Sequence, residues 1–167
     1  NPYEKLAFFI GDWEMLMGDR GVRMSFDWAQ NNRMIRHKSS MPSKIGEPLK
    51  YEYEGIITYH AVRNEVILTD TYLKKGSTLI AEGHFEFLEN GAVVRQFTCF
   101  YGEGKKLPWH DGAVAPEGGK TLDFKQIWTP VDEHSFSGEF FWKKDGKWEN
   151  PIKEFKDGEK ELWVRVK

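Results

Sequence analysis

Leu79-Ile80-Ala81-Glu82-Gly83-His84-Phe85-Glu86-Phe87, then Asn90-Gly91, then Val93-Val94-Arg95-Gln96-Phe97-Thr98-Cys99-Phe100-Tyr101 is the stretch that decides the fold. Leu79, Ala81, Phe85 and Phe87 alternate with Glu82, His84 and Glu86, the period of a strand with one apolar and one solvated face. Val93, Arg95, Phe97 and Cys99 keep that period after the turn. Asn-Gly between two such runs predicts a two-residue hairpin.

The same grammar extends in both directions. Val22 to Trp28 puts Val22, Met24, Phe26 and Trp28 on one face, and Asn31-Asn32 turns the chain into Met34 to Ser40. Tyr51 to Tyr59 sets Tyr51, Tyr53, Ile57 and Tyr59 opposite Glu52 and Glu54. Arg63-Asn64 leads into Val66 to Leu73, and Lys75-Gly76 into Leu79. Leu122 to Trp128, Phe136 to Trp142 and Leu162 to Val166 follow, and Trp13 to Met17 precedes them all. Helical spacing is confined to Leu6, Phe9 and Ile10, after Asn1 and Pro2 and before Gly11, which predicts a helix of about two turns. Tight turns between successive strands predict an all-β, antiparallel up-and-down barrel of about eight to ten strands, or a sandwich, with the helix plugging one end. Gly102 to Lys120 and Lys143 to Lys160 read as long connections, either lids or mobile loops.

The chain has 167 residues, which suits one domain over residues 1–167. Its 7 Trp, 6 Tyr and 12 Phe are too many core formers for disorder. With 24 Lys+Arg against 26 Asp+Glu there is no basic excess to hold nucleic acid. The one cysteine, Cys99, excludes an intrachain disulfide and a Cys-ligated zinc site. No apolar run is long enough for a membrane helix. The default expectation is a cytoplasmic protein, with a removed leader as the open alternative because the chain opens Asn1-Pro2-Tyr3.

Gly11-Asp12-Trp13-Glu14, a Gly-x-Trp opening the first strand after a short helix, resembles the lipocalin-like calycin barrels. The resemblance implies that Trp13 packs at the closed end of the barrel and that Arg165, in Leu162-Trp163-Val164-Arg165, stacks across it. Phe9-Ile10-Gly11-Asp12-Trp13-Glu14, Glu54-Gly55-Ile56-Ile57-Thr58-Tyr59-His60 and Val66-Ile67-Leu68-Thr69-Asp70 are similar to an uncharacterised bacterial calycin-like family. His60 stands where that family's pattern has an Asp. Barrels of this kind carry lipids, bind haem or catalyse isomerisations and cyclisations, so the resemblance implies a fold and leaves the function open.

Local chemical motifs are missing. His37, His60, His84, His110 and His134 form no metal-binding spacing, so neither a metal nor another cofactor is expected. Cys99, in Phe97-Thr98-Cys99-Phe100, reads as a small buried hydrophobe, and there is no nucleophile elbow or phosphate loop. The informative residues are polar ones on apolar faces. His37 shares a face with Ile35, Asp70 with Val66, Leu68 and Tyr72, and Arg95 with Val93 and Phe97. Gln126 lies between Phe124 and Trp128, and Tyr53 between Tyr51 and Gly55. Facing inward, His37, Tyr53, Asp70, Arg95, Gln126 and Trp128 would line a pocket for a partly polar, ring-containing molecule. The plain alternative is an Asp70–Arg95 structural ion pair with His37 at a strand end in solvent. Glu82, His84 and Glu86 read as an outer face, and Trp109-His110-Asp111 as a loop over the mouth or packed outside.

Three functions remain at this level. The first is binding of a small hydrophobic or aromatic molecule inside the barrel. The second is a cofactor-independent isomerase, cyclase or lyase, with His37, Tyr53, Asp70 and Arg95 as acid, base and anion-stabilising groups. The third is an interaction module or homodimer using Ile56, Leu73, Ile80 and Phe141 on the outer faces.

Overall fold

In a computed structural model of the chain, residues 1–40, 42–48, 50–72, 79–107, 112–151 and 160–166 are described. The Lys75-Gly76 turn, Leu73 and the Trp109-His110-Asp111 segment lie outside them. Alternating sequence becomes strand throughout. The order is β1 (Gly11–Met17), β2 (Arg20–Ala29), β3 (Met34–Ser40), β4 (Ser43–Lys44), β5 (Tyr51–His60) and β6 (Glu65–Tyr72). Then come β7 (Leu79–Phe87), β8 (Val93–Tyr101), β9 (Lys120–Asp132), β10 (Ser135–Lys144), β11 (Lys147–Glu149) and β12 (Glu161–Arg165). All belong to one antiparallel sheet in the order β1-β12-β10-β9-β8-β7-β6-β5-β3-β2, and β1 pairs again with β2. Ten strands therefore close into an up-and-down barrel, and the two short ones, β4 and β11, sit outside the ring on β2 and β10.

Two local readings need correction. The Asn90-Gly91 turn is not a two-residue hairpin. Gly91 alone of the pair has positive φ (82°), and the amides of Gly91 and Leu88 bond to Leu88 O and Ala92 O. That is a three-residue turn ending in a left-handed glycine, and Asn90 instead accepts the Ala92 amide on its side chain. The N-terminal helix, Glu4–Phe9, is a 3₁₀ helix. Its period of three puts Tyr3, Leu6 and Phe9 on one side, and these are buried to 4%, 2% and 1% exposure. Tyr3 then fastens it, donating from its hydroxyl to Arg33 O (2.6 Å) and accepting from the Tyr59 amide (2.8 Å). Tyr59 itself, read onto the inner face, is exposed at the end of β5.

The ring closes where the first strand meets the last. Trp13 on β1 is paired with Arg165 on β12. The guanidinium lies 4.3 Å from the Trp13 ring centre and donates to Ile10 O (2.6 Å) and Phe8 O (2.8 Å). Trp13 Nε1 donates to Phe9 O at 2.7 Å. Gly11 holds φ +124°, and a Cβ there would meet Arg165 Nη1 at 2.7 Å, so only glycine lets the clamp sit down. Helix, first strand and last strand are locked by two side chains.

Behind the clamp the interior is solid. Phe9, Trp13, Phe26, Ile35, Ile57, Leu68, Phe85, Trp128, Phe136 and Trp163 form one buried cluster with Tyr3 and Leu6. A second cluster, Leu79, Ala81, Cys99, Leu122, Phe124 and Trp142, lies toward the other end. There Tyr53, Tyr72, Phe97, Tyr101 and Phe140 are only partly buried. Replacing Arg165 by Leu is expected to lower the unfolding free energy by about 2–4 kcal/mol, from lost charge-assisted hydrogen bonds and cation–π contact. Urea titration measures it, and a loss below about 1 kcal/mol would mean that the β1–β12 ladder closes the ring without the clamp.

Candidate functional site

A belt of polar side chains runs into the second cluster. Strand pairing builds it: His37 on β3 is opposite Gly55 on β5, which is opposite Asp70 on β6. The row continues through Ala81, Cys99 and Leu122. Gly55 is the enabling residue. A Cβ at this position would collide with the Asp70 carboxylate, so its absence lets Asp70 reach across an intervening strand. Asp70 Oδ1 and Oδ2 lie 3.0 and 3.1 Å from His37 Nδ1, with both residues almost fully buried.

Proton placement follows from that contact. A carboxylate only accepts, so Nδ1 carries a proton; Nε2 is a lone pair in the neutral ring and a second N–H in the imidazolium. Burial pushes the Asp70 carboxyl up, but the charge and hydrogen bond of His37, together with Arg95, outweigh it and hold Asp70 below the usual carboxylate range. His37 packs against Phe26 with ring centres 4.9 Å apart, which fixes the imidazole plane.

Arg95 approaches from below. It is 6% exposed, with its guanidinium 4.4 Å from the Phe97 ring centre and 5.5 Å from that of Trp128. It pairs in register with Gln126, and Gln126 with Phe140 on β10. Trp128 is the floor of the belt, buried against Phe9, Phe26 and Phe136. Tyr53 stacks beside Tyr72 at 4.9 Å, nearer the far end. Burial holds the Tyr53 and Tyr101 phenols above their usual range and pushes the Cys99 thiol up to about 12, so all three stay protonated. The sequence-predicted residues thus fall into two groups. His37, Tyr53, Asp70, Arg95, Gln126 and Trp128 face one interior, while Trp13 and Arg165 clamp the helix end apart from them.

One feature sets the belt apart. Among the described residues, the buried side-chain nitrogen and oxygen atoms with no hydrogen-bond partner are His37 Nε2, Arg95 Nε and Nη1, and Gln126 Oε1. Each such atom costs about 1–3 kcal/mol when left unpaired, and more when charged. Asp70 is not the partner of Arg95, since its oxygens are turned to His37. Sequence reading missed one further acid here. Glu161, at the start of β12 opposite Gly138, is 6% exposed and accepts from Trp163 Nε1 at 2.8 Å. The period of two from Arg165 through Trp163 reaches it, and β12 starts at Glu161, one residue ahead of the Leu162 that the sequence pattern predicts.

Outside the ring, His84 and Glu86 form a solvated pair, and Ile56 and Ile80 are exposed. Phe141 lies under Lys125 at 5.0 Å. Among the described residues there is no group of three metal-ligating side chains and no helix long and apolar enough to cross a membrane. The fold defines the chain as a closed, ten-stranded antiparallel β-barrel. No family model matches it, and no curated protein matches it either.

The two buried acids have opposite pH signatures. Asp70, lowered by folding, contributes stability above its unfolded value of about 3.9 and loses it as pH falls through the lower folded value. Glu161, raised mainly by burial, contributes most below about 4.3 and loses that contribution as pH rises through its higher folded value. Asp70→Asn is therefore expected to flatten the acid limb of a stability–pH curve, and Glu161→Gln to raise stability at neutral pH. Urea midpoints across that range measure both; an unchanged acid limb in Asp70→Asn would remove the His37–Asp70 pair from the account.

Proposed function

We propose that the chain is a calycin-like barrel that binds a small hydrophobic or aromatic molecule in its interior, with His37, Tyr53, Asp70, Arg95, Gln126 and Trp128 around it. The observation that carries this reading is the set of four unpartnered buried atoms on three inward side chains. Evolved interiors satisfy such atoms or leave them for a ligand. Space supports the same reading. Roughly eight strands already give a barrel that side chains just fill, and ten give a wider one. At the helix end large aromatic side chains take up that width, whereas the belt row offers Gly55, Ala81 and Cys99.

A second reading has its own observation. His37 is held by Asp70 through Nδ1 with Nε2 unpartnered, the arrangement of an oriented general base, and Arg95 is a cation nearby. That favours a cofactor-independent isomerase, cyclase or lyase acting on the bound molecule. Such an enzyme would lose turnover in His37→Gln while still binding its substrate.

Binding is tested with the uncharged fluorophore N-phenyl-1-naphthylamine. One molecule per chain is expected, with a Kd of about micromolar order. Ala81→Phe, which fills the belt row, is expected to weaken uptake about tenfold or more while the β-type circular dichroism spectrum persists. A chain that takes up neither this nor any other apolar probe has a self-filled barrel, and the reading falls.

A further inference from the structure

Arg95 narrows the ligand class, and this step rests on the barrel-binding reading above. Its Cζ lies 4.4 Å from the Phe97 ring centre and 5.5 Å from that of Trp128. In the plane of the guanidinium, Nε and Nη1 have donors and no acceptor. A partner must therefore arrive edge-on, in plane, carrying acceptor oxygens. Nε–H and Nη1–H point to different sides of the guanidinium, so a carboxylate oxygen reaches one of them with a charge-assisted hydrogen bond.

Charge sets the valence. Asp70 supplies one negative charge to the belt, and both of its oxygens are turned to His37 Nδ1. A dianionic phosphate would add two further negative charges beside Asp70 in a water-poor interior, whereas a carboxylate adds one. Shape sets the rest of the molecule. Phe97, Phe124 and Phe140, on three adjacent strands, stack nearly parallel at 5.4 and 5.6 Å with interplanar angles of 22° and 14°. They make a row of stacked rings that begins at Phe97, beside Arg95, and gives a planar ring an aromatic surface to pack against. Gln126 Oε1, and His37 Nε2 in the neutral imidazole, are further acceptors for a hydroxyl or amine on that ring.

We propose that the barrel binds a ring-bearing carboxylic acid as its monoanion, with the carboxylate held in the plane of the Arg95 guanidinium and the ring against Phe97, Phe124 and Phe140. Arg95 is then the residue that selects acids over their neutral analogues.

The test compares 2-naphthoate with 2-naphthamide, which share ring and shape and differ in charge, by isothermal titration calorimetry on the intact chain. Naphthoate is expected to bind about tenfold more tightly, or better, than naphthamide. Arg95→Met should abolish that preference while naphthamide affinity stays within about threefold. Arg95→Lys, which keeps the charge without the planar, fixed N–H donors, should restore only part of it, and serves alone if the Met variant does not fold. Equal affinity for acid and amide in the unaltered chain overturns this inference and leaves barrel binding standing. So does an acid preference that survives in Arg95→Met. If both compounds and the uncharged naphthylamine fail to bind, the barrel-binding reading is overturned, and the carboxylate assignment with it.

Discussion

The stacking of Arg165 on Trp13, with its two hydrogen bonds to the carbonyls of Phe8 and Ile10, is the contact on which the remaining geometry depends. A sheet becomes a barrel only when its first and last strands find each other, and here they are separated by almost the whole chain. Fixing that seam fixes the number of strands in the ring, and so which residues face each other across the interior. The clamp is charged, yet it sits at the apolar end. Its guanidinium is tolerated there because backbone carbonyls at the helix end accept its hydrogen bonds.

The barrel is two structures in one wall. Below Trp128 the side chains are large and interlocked: Phe136 touches Phe9, Trp13 and Trp163, and all four are 3% exposed or less. Above it one row runs through His37, Gly55, Asp70, Ala81, Cys99 and Leu122. Toward the far end Phe124 and Trp142 are buried, while Tyr53, Tyr72, Phe97, Tyr101 and Phe140 are partly covered. Dense aromatic packing and unpaired polar atoms are thus separated along the axis. The packed half can support unpaired polar atoms in the other half, because the apolar area it buries far exceeds their cost in free energy.

Much of this was legible in the sequence, for a simple reason. Around these residues the strands keep a period of two, which places His37, Asp70, Arg95 and Gln126 on the apolar face. Pairing across strands was not legible. Asp70 and Arg95 looked like natural ion partners, but register sets His37 opposite Gly55 and Gly55 opposite Asp70. The signal that could have found this is the glycine itself, since a glycine inside a strand marks a close approach. Turn chemistry misled at Asn90-Gly91, where the dipeptide is compatible with a two- or a three-residue loop. The 3₁₀ helix hid for a similar reason: Tyr3, Leu6 and Phe9 fit a period of three, while Leu6 and Ile10 also fit an α-helical face.

The missing side chain at Gly55 has one more effect, on assembly. His37 and Asp70 belong to strands that do not pair with each other, so their contact forms only after β3, β5 and β6 have all aligned. A slip of two residues between β5 and β6 would keep every side chain on its proper face and satisfy the backbone ladder. It would also present Asp70 with Ile57 or Tyr53 in place of the glycine, leaving no room for the carboxylate to reach its imidazole. Hydrophobic patterning cannot tell such a slipped sheet from the right one, but the buried acid can. The buried His37–Asp70 pair proofreads the alignment of the wall that encloses it.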